Sequence, residues 1–217
     1  MAISKVAIVG TGVMGEGMIN SLLTAGIESN AIVIRDKRTE RVDKLVKKYW
    51  VTSGHIHEAD AVILAVKPQD FESCIAELRA EVEHEFLLVS LLAGVKSSRI
   101  EDKIGGKARV IRVMPNTPIL LGEGMSVITK GKSGTESDLA WVDNLLSNSG
   151  KTLVVAEDSM DAVTAVSGSG PAYFYGFVEA MIKAANKLGL SEHDSKLLVH
   201  QTLIGACLLY TSDAADE

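Results

Sequence analysis

The sequence predicts an α/β protein with a doubly wound sheet in its N-terminal part and an all-helical C-terminal part. Three observations carry that prediction. Unbroken apolar stretches of strand type alternate with helical patterns from Lys5 to about Met114. From Asp158 onward the pattern becomes helix after helix. The 217 residues are 47% hydrophobic and 23% charged, which is enough to bury a sizeable core.

The first element is an apolar strand, Val6 to Val9, that passes directly into Gly10-x-Gly12-x-x-Gly15 and then a helical pattern over Met14 to Ala25. A strand, a glycine turn and a helix N-terminus together make a site for a pyrophosphate. One glycine permits the tight turn, one lets the backbone approach the phosphates, one lets helix pack on strand, and unpaired N–H groups face the anion. The N-terminal part is therefore expected to be a Rossmann-type dinucleotide-binding domain. A second strand, Ala31 to Ile34, ends in Arg35-Asp36-Lys37-Arg38. An acid at this tip takes the ribose 2′-OH of NAD, whereas arginine accommodates the 2′-phosphate of NADP. Both signals occur here, and the excess of positive charge favours NADP, with NAD as the alternative.

Glu40 to Tyr49 reads as a charged amphipathic helix, and Val51 to Ala59 as a short irregular link. His55-x-His57 in that link has no third ligand nearby, and a structural zinc needs four, so the pair reads as loop histidines. Ala61 to Val66 is an unbroken apolar strand, as burial on both faces of a parallel sheet requires, and Pro68 starts the helix Asp70 to Ala80. Strand Phe86 to Leu92, helix Ser97 to Ile104 and strand Arg109 to Met114 continue the alternation. Met114-Pro-Asn-Thr-Pro118 is expected to be a stiff extended loop holding the Asn116 amide on the rim of the sheet. Two further strands, Gly124 to Thr129 and Lys151 to Ala156, flank a helix over Glu136 to Leu146.

In the helical region, Asp161 to Val166 precedes a flexible turn, Ser167 to Gly170, with Pro171 opening a helix over Ala172 to Leu188 that Gly189 closes. Another helix runs from His193 to about Ala206, and His200 on it reads as a helix-surface or core histidine rather than a proton donor.

Net charge is −6, and no basic block is long enough for a nucleic-acid or anionic-membrane surface. Apolar runs fall short of the ~18 residues of a membrane span. No leader peptide is expected, and the two cysteines, Cys74 and Cys207, lie outside any CxxC, as suits reduced thiols. The chain reads as cytoplasmic.

GTGVMG, AVKPQD, VSLLAGV, VIRVMPNTPILLGEGM and MDAVTAVSGSGPAYFYGFVEAM, in this order and spacing, resemble the pyrroline-5-carboxylate reductase family from Lys5 to Ala206. The resemblance implies reduction of 1-pyrroline-5-carboxylate to proline, the last step of proline biosynthesis, with NADPH or NADH. It implies a cofactor site of Val9, Gly10, Thr11, Gly12, Val13 and Met14 at the phosphate turn and Arg38 near the ribose phosphate. Ala65, Val66, Lys67, Pro68 and Ala93 would lie along the dinucleotide, and Asn116 near the nicotinamide end. Glu157 aligns with a substrate-contacting carboxylate. The expected division is 1–157 for the dinucleotide domain and 158–206 for a helical dimerisation and substrate domain, with a homodimer or higher oligomer formed through the latter. The only other expected partner is a small-molecule substrate.

The sequence departs from the family pattern in places. Val13 stands where an asparagine is often found, and the Val51 to Ala59 link lacks an asparagine to reach the adenosine. The Ser-Pro-Gly-Gly-Thr-Thr type segment that binds the substrate carboxylate is absent, so the helical domain is expected to be incomplete and no catalytic residue is assigned. Residues 207–217 break the helical pattern and resemble a translated sequencing adapter, an expected non-native tail. Two other readings stay open: a 3-hydroxyacid-dehydrogenase-like oxidoreductase using Lys183 or Lys187, and an inactive NADP-binding fragment.

Overall fold

The computed structural model describes residues 3–211. Among them, eight strands form one sheet: β1 (Val6–Val9), β2 (Ile32–Arg35), β3 (Thr52–Ser53), β4 (Ala61–Leu64), β5 (Phe86–Ser90), β6 (Ala108–Pro115), β7 (Gly124–Lys130) and β8 (Gly150–Val154). Their spatial order is β3-β2-β1-β4-β5-β6-β7-β8. The first six run parallel, while β7 and β8 are parallel to each other and antiparallel to β6. The order reverses direction at β1 and β4, which is where a doubly wound sheet opens a crevice at its strand ends.

Alternation along each strand sorts the core into two layers. Val6 and Ile8 of β1, Ile63 of β4 and Val89 of β5 face α1 (Val13–Thr24), α2 (Thr39–Tyr49) and α5 (Glu136–Ser147). Ala7, Val9, Val62 and Leu88 face α3 (Phe71–Glu81) and α4 (Ser97–Ile104). Each fully buried aliphatic side chain in these layers contributes about 1.5–3 kcal/mol. Both faces are covered, which is why the sequence shows continuous apolar runs here.

Several expectations need correction. The Val51 to Ala59 link is not wholly irregular, because β3 pairs in it with β2. Met114 to Pro118 is not one extended loop: Pro115 ends β6 opposite Ser126, and Thr117–Leu121 coils into a 3₁₀ turn. Proline is tolerated there because it needs no ladder N–H at a strand's last residue. Ser167 to Gly170 is not a flexible turn. The short helix α6 (Met160–Val163) runs into a π-helical turn, Thr164–Gly168, and then α7 (Gly170–Lys187). Thr164 and Ser167 hydroxyls donate to the carbonyls of Met160 and Val163, so the hydroxyls support helical backbone instead of ending it.

The chain divides into two compact units, the first ending at Ser169 and the second beginning at Gly170. Residues 158–169, read from sequence with the helical domain, group with the sheet. Met160 is fully buried and Met114 packs on Gly168. The second unit holds α7 and α8 (Glu192–Tyr210). The pattern break at Cys207 does not end α8, since Cys, Leu and Tyr lose amphipathic spacing without losing helix propensity. Residues 212–217 of the expected non-native tail lie outside the described residues. No helix among the described residues is long and apolar enough to cross a membrane.

Candidate cofactor and substrate site

The parallel strands end in a row of loops. In sheet order these are Asp36 to Arg38 after β2, Gly10 to Met14 after β1, Ala65 to Pro68 after β4, Ala93 after β5 and Asn116 after β6. Four strand spacings separate the ends of the row, about 19 Å. The residues expected to hold a dinucleotide thus line one rim.

The three glycines of the turn have distinct surroundings. Gly10 has φ +95°, and a Cβ there would lie 2.6 Å from the Ala65 carbonyl oxygen, so this glycine joins the turn to the end of β4. A Cβ on Gly15 would lie 2.0 Å from the Gly10 carbonyl oxygen. Gly12 differs: no atom of the described residues lies within 4 Å of where its Cβ would stand. It is also the N-cap of α1 and has no side-chain cap, so no side chain takes the first N–H groups of the helix. That cradle fits a pyrophosphate.

At the tip of β2 one acid is saturated. Asp36 Oδ2 accepts from the Thr11 N–H at 2.7 Å and the Thr11 hydroxyl at 2.9 Å. The Arg38 N–H and Nε donate to Oδ1 at 2.9 and 3.0 Å, and Arg38 Nη2 donates to Oδ2 at 2.9 Å. The Arg38 guanidinium outweighs the opposing effect of burial and, with the Thr11 N–H, holds the Asp36 carboxyl far below the usual carboxylate range. The Asp36 side chain is 9% exposed and that of Arg38 63%.

The other two cations of this tip do not join Asp36. Alternation turns Arg35 to the opposite face, where it pairs with Glu81, and Lys37 pairs with Asp70 at 3.0 Å. Behind the turn, the Thr11 carbonyl accepts from Arg41 Nε at 2.9 Å. Arg41 also pairs with Glu16, to which Lys48 and Tyr49 donate. Burial raises the Glu16 pKa, but those three partners outweigh it and bring it down to about 2.

Asn116 is 9% exposed, and its side chain braces two segments. Its Oδ1 accepts from the Met125 N–H at 2.8 Å, and its Nδ2 donates to the Ser167 carbonyl at 3.2 Å. Glu157 lies outside the rim row, because it follows β8, which runs opposite to β6. Its Oε1 accepts from Arg112 Nη1 at 2.6 Å, and Ser97 donates through its N–H and hydroxyl. Burial raises the Glu157 pKa, yet Ser97 and Arg112 carry it below the usual carboxylate range.

Sequence reasoning missed the brace that Ser97 and Arg112 form around Glu157. The available signal was a cation at a core position inside the apolar strand Val110 to Val113. Arg112 is buried, and its Nη2 has no hydrogen-bond partner among the described residues.

The remaining sequence candidates are dispersed. His55 and His57 have ring centroids 6.1 Å apart, and no group of three or more His, Cys, Asp or Glu among the described residues is placed to hold a metal. Lys183 pairs with Glu179 at 2.9 Å on an exposed stretch of α7, and His200 is exposed on α8. A groove of about 460 Å³ between α3 and α4, lined by Glu72, Ile75, Arg79 and Lys103 among others, contains none of the rim residues.

Comparison with known proteins agrees with this layout. Residues 157–217 match the family model for pyrroline-5-carboxylate reductase dimerisation, and residues 5–94 match that for NADP oxidoreductase coenzyme F420-dependent. The chain is 35% identical over 214 residues to the pyrroline-5-carboxylate reductase of Corynebacterium melassecola, covering 95% of this chain and 79% of the relative. It superposes on the structure of a pyrroline-5-carboxylate reductase from Coxiella burnetii with a TM-score of 0.87 at 28% identity, covering 99% of this chain and 83% of that one. Against the Plasmodium falciparum pyrroline carboxylate reductase with NADP bound, the TM-score is 0.83 at 28% identity, covering 98% and 81%.

Proposed function

The chain belongs to the pyrroline-5-carboxylate reductase family, and on that premise we propose that it reduces 1-pyrroline-5-carboxylate to L-proline with NADPH. The observation that carries this reading is the rim row, in which a phosphate cradle at Gly12 stands between the Arg38 tip and the Ala65–Pro68, Ala93 and Asn116 loops. When bound, the cofactor supplies a hydride to the imine carbon, and a proton joins the ring nitrogen.

The chain's own residues have the following proposed roles. Val9 to Met14 bind the pyrophosphate through backbone N–H groups at the start of α1. Arg38 binds the 2′-phosphate of the ribose. Ala65, Val66, Lys67, Pro68 and Ala93 line the dinucleotide and exclude water from it, while Asn116 fixes the loop at the nicotinamide end. Glu157 faces the substrate with Oε2, which has a single donor among the described residues and so an acceptor site to spare. Held anionic, it accepts a hydrogen bond and does not supply the proton. With the reacting groups so held, orientation provides most of the rate enhancement.

The division proposed for function is 1–157 for the dinucleotide and 158–206 for dimerisation and substrate; the family match that begins at 157 supports it, although residues 158–169 group with the sheet. Exposed Phe174, Phe177, Leu197 and Ile204 on α7 and α8 support a homodimer through this region. The cytoplasm is the proposed location. Proline formation from pyrroline-5-carboxylate and NADPH by the 217-residue chain, set beside oxidation of hydroxyisobutyrate with NADP, tests the reading. Activity confined to hydroxyisobutyrate would replace it with the hydroxyacid-dehydrogenase alternative.

A further inference from the structure

We infer that Asp36 selects the cofactor without touching it: Thr11 and Arg38 withhold its carboxylate from a ribose diol, and it presents the Arg38 fork to a 2′-phosphate. The inference rests on the NADPH reading above and assigns the residue that makes Arg38 selective. An acid at the tip of β2 is the usual acceptor for the NAD ribose. Here that acid has five donors, from the Thr11 N–H, the Thr11 hydroxyl and the N–H, Nε and Nη2 of Arg38. A carboxylate offers about four lone-pair sites, so none is left for a diol.

The same contacts fix Arg38. Its Nε and Nη2 meet the two carboxylate oxygens side by side, which is the bidentate geometry that sets the guanidinium plane. Its Nη1 and one Nη2 hydrogen have no partner among the described residues, on a side chain that is 63% exposed. Lysine could not do this, since an ammonium is a point charge without a fork. The capture also couples the two halves of the site, because Thr11 is the residue between Gly10 and Gly12 of the phosphate turn. Arg35 and Lys37 are each paired elsewhere, with Glu81 and Asp70, and neither bonds Asp36.

The test is calorimetric titration of adenosine 2′,5′-bisphosphate and of AMP into the full chain and three variants. Asp36→Asn and Arg38→Lys should each reduce the preference for the bisphosphate about tenfold while AMP affinity holds, the usual effect of losing one charge-assisted pair. Asp36→Asn combined with Arg38→Ala should be no worse than Arg38→Ala alone, because the acid acts through the arginine. Equal weakening of both ligands by Asp36→Asn, or an unchanged preference in Arg38→Lys, would overturn the proposal. Should Asp36→Asn fail to fold, the exposed Arg38→Lys variant decides the matter. Arg38→Ala separates the two levels: if it leaves the preference intact, the 2′-phosphate reading itself falls. If it abolishes the preference while Arg38→Lys and Asp36→Asn do not reduce it, only the role of Asp36 falls.

Discussion

Arg112 is 2% exposed in β6, and its Nη1 donates to Glu157 Oε1 at 2.6 Å. A buried cation thereby gains its counterion from the segment that follows β8. The guanidinium's neutralisation depends on this contact, while the Glu157 carboxylate is also held by the Ser97 N–H and hydroxyl. Glu157→Gln should therefore destabilise the fold by about 2–3 kcal/mol, somewhat less than a fully enclosed pair because Glu157 keeps some solvent. Denaturant unfolding of the variant measures it, and a loss under about 0.5 kcal/mol would show that Arg112 finds another partner.

Gly12 and Gly15 should respond in opposite ways. Gly15→Ala places a Cβ 2.0 Å from the Gly10 carbonyl oxygen and should lower the melting temperature sharply. Gly12→Asp meets open space and should keep the fold, while an anion in the phosphate cradle weakens NADPH at least about a hundredfold. Thermal melts beside NADPH titrations separate the two effects.

Glu16 gives the first helix an acid-sensitive anchor. Its folded pKa of about 2 lies below the ordinary glutamate value of 4.5, so the stabilisation is complete above 4.5 and disappears as pH falls toward 2. With the side chain 15% exposed, the contribution at neutral pH is about 3 kcal/mol. Glu16→Gln should flatten the acid limb of the stability curve in that window, and an identical limb in wild type and variant would contradict the assignment.

Asn116→Ala should leave the Met125 N–H and the Ser167 carbonyl without their partner and destabilise by about 1–3 kcal/mol. If the residue also fixes the nicotinamide end, kcat should fall more than the affinity for NADPH. A variant with wild-type kcat and wild-type stability would remove both roles.

The parts of the fold legible in the sequence were those written in local pattern. The apolar strands β1, β4 and β5 and the glycine turn follow from periodicity and backbone sterics alone. The antiparallel return of β7 was not legible, because a strand's direction is set by its partner and not by its own residues. At the β2 tip the sequence showed four charged side chains in a row but not their pairing. Alternation sends Arg35 to the opposite face, and the capture of Asp36 by Thr11 joins residues 25 apart. Ser167 read as part of a turn because it opens the run Ser-Gly-Ser-Gly-Pro, yet here its hydroxyl bonds the Val163 carbonyl and the backbone stays helical.

The measurement that bears most directly on the proposed reaction is the stoichiometry of NADPH consumed to proline formed when the 217-residue chain is mixed with 1-pyrroline-5-carboxylate. One proline per NADPH, with the rate falling in Gly12→Asp, is expected of a reductase that uses this rim. Tight NADPH binding with no proline formed would contradict it and leave a dinucleotide-binding protein.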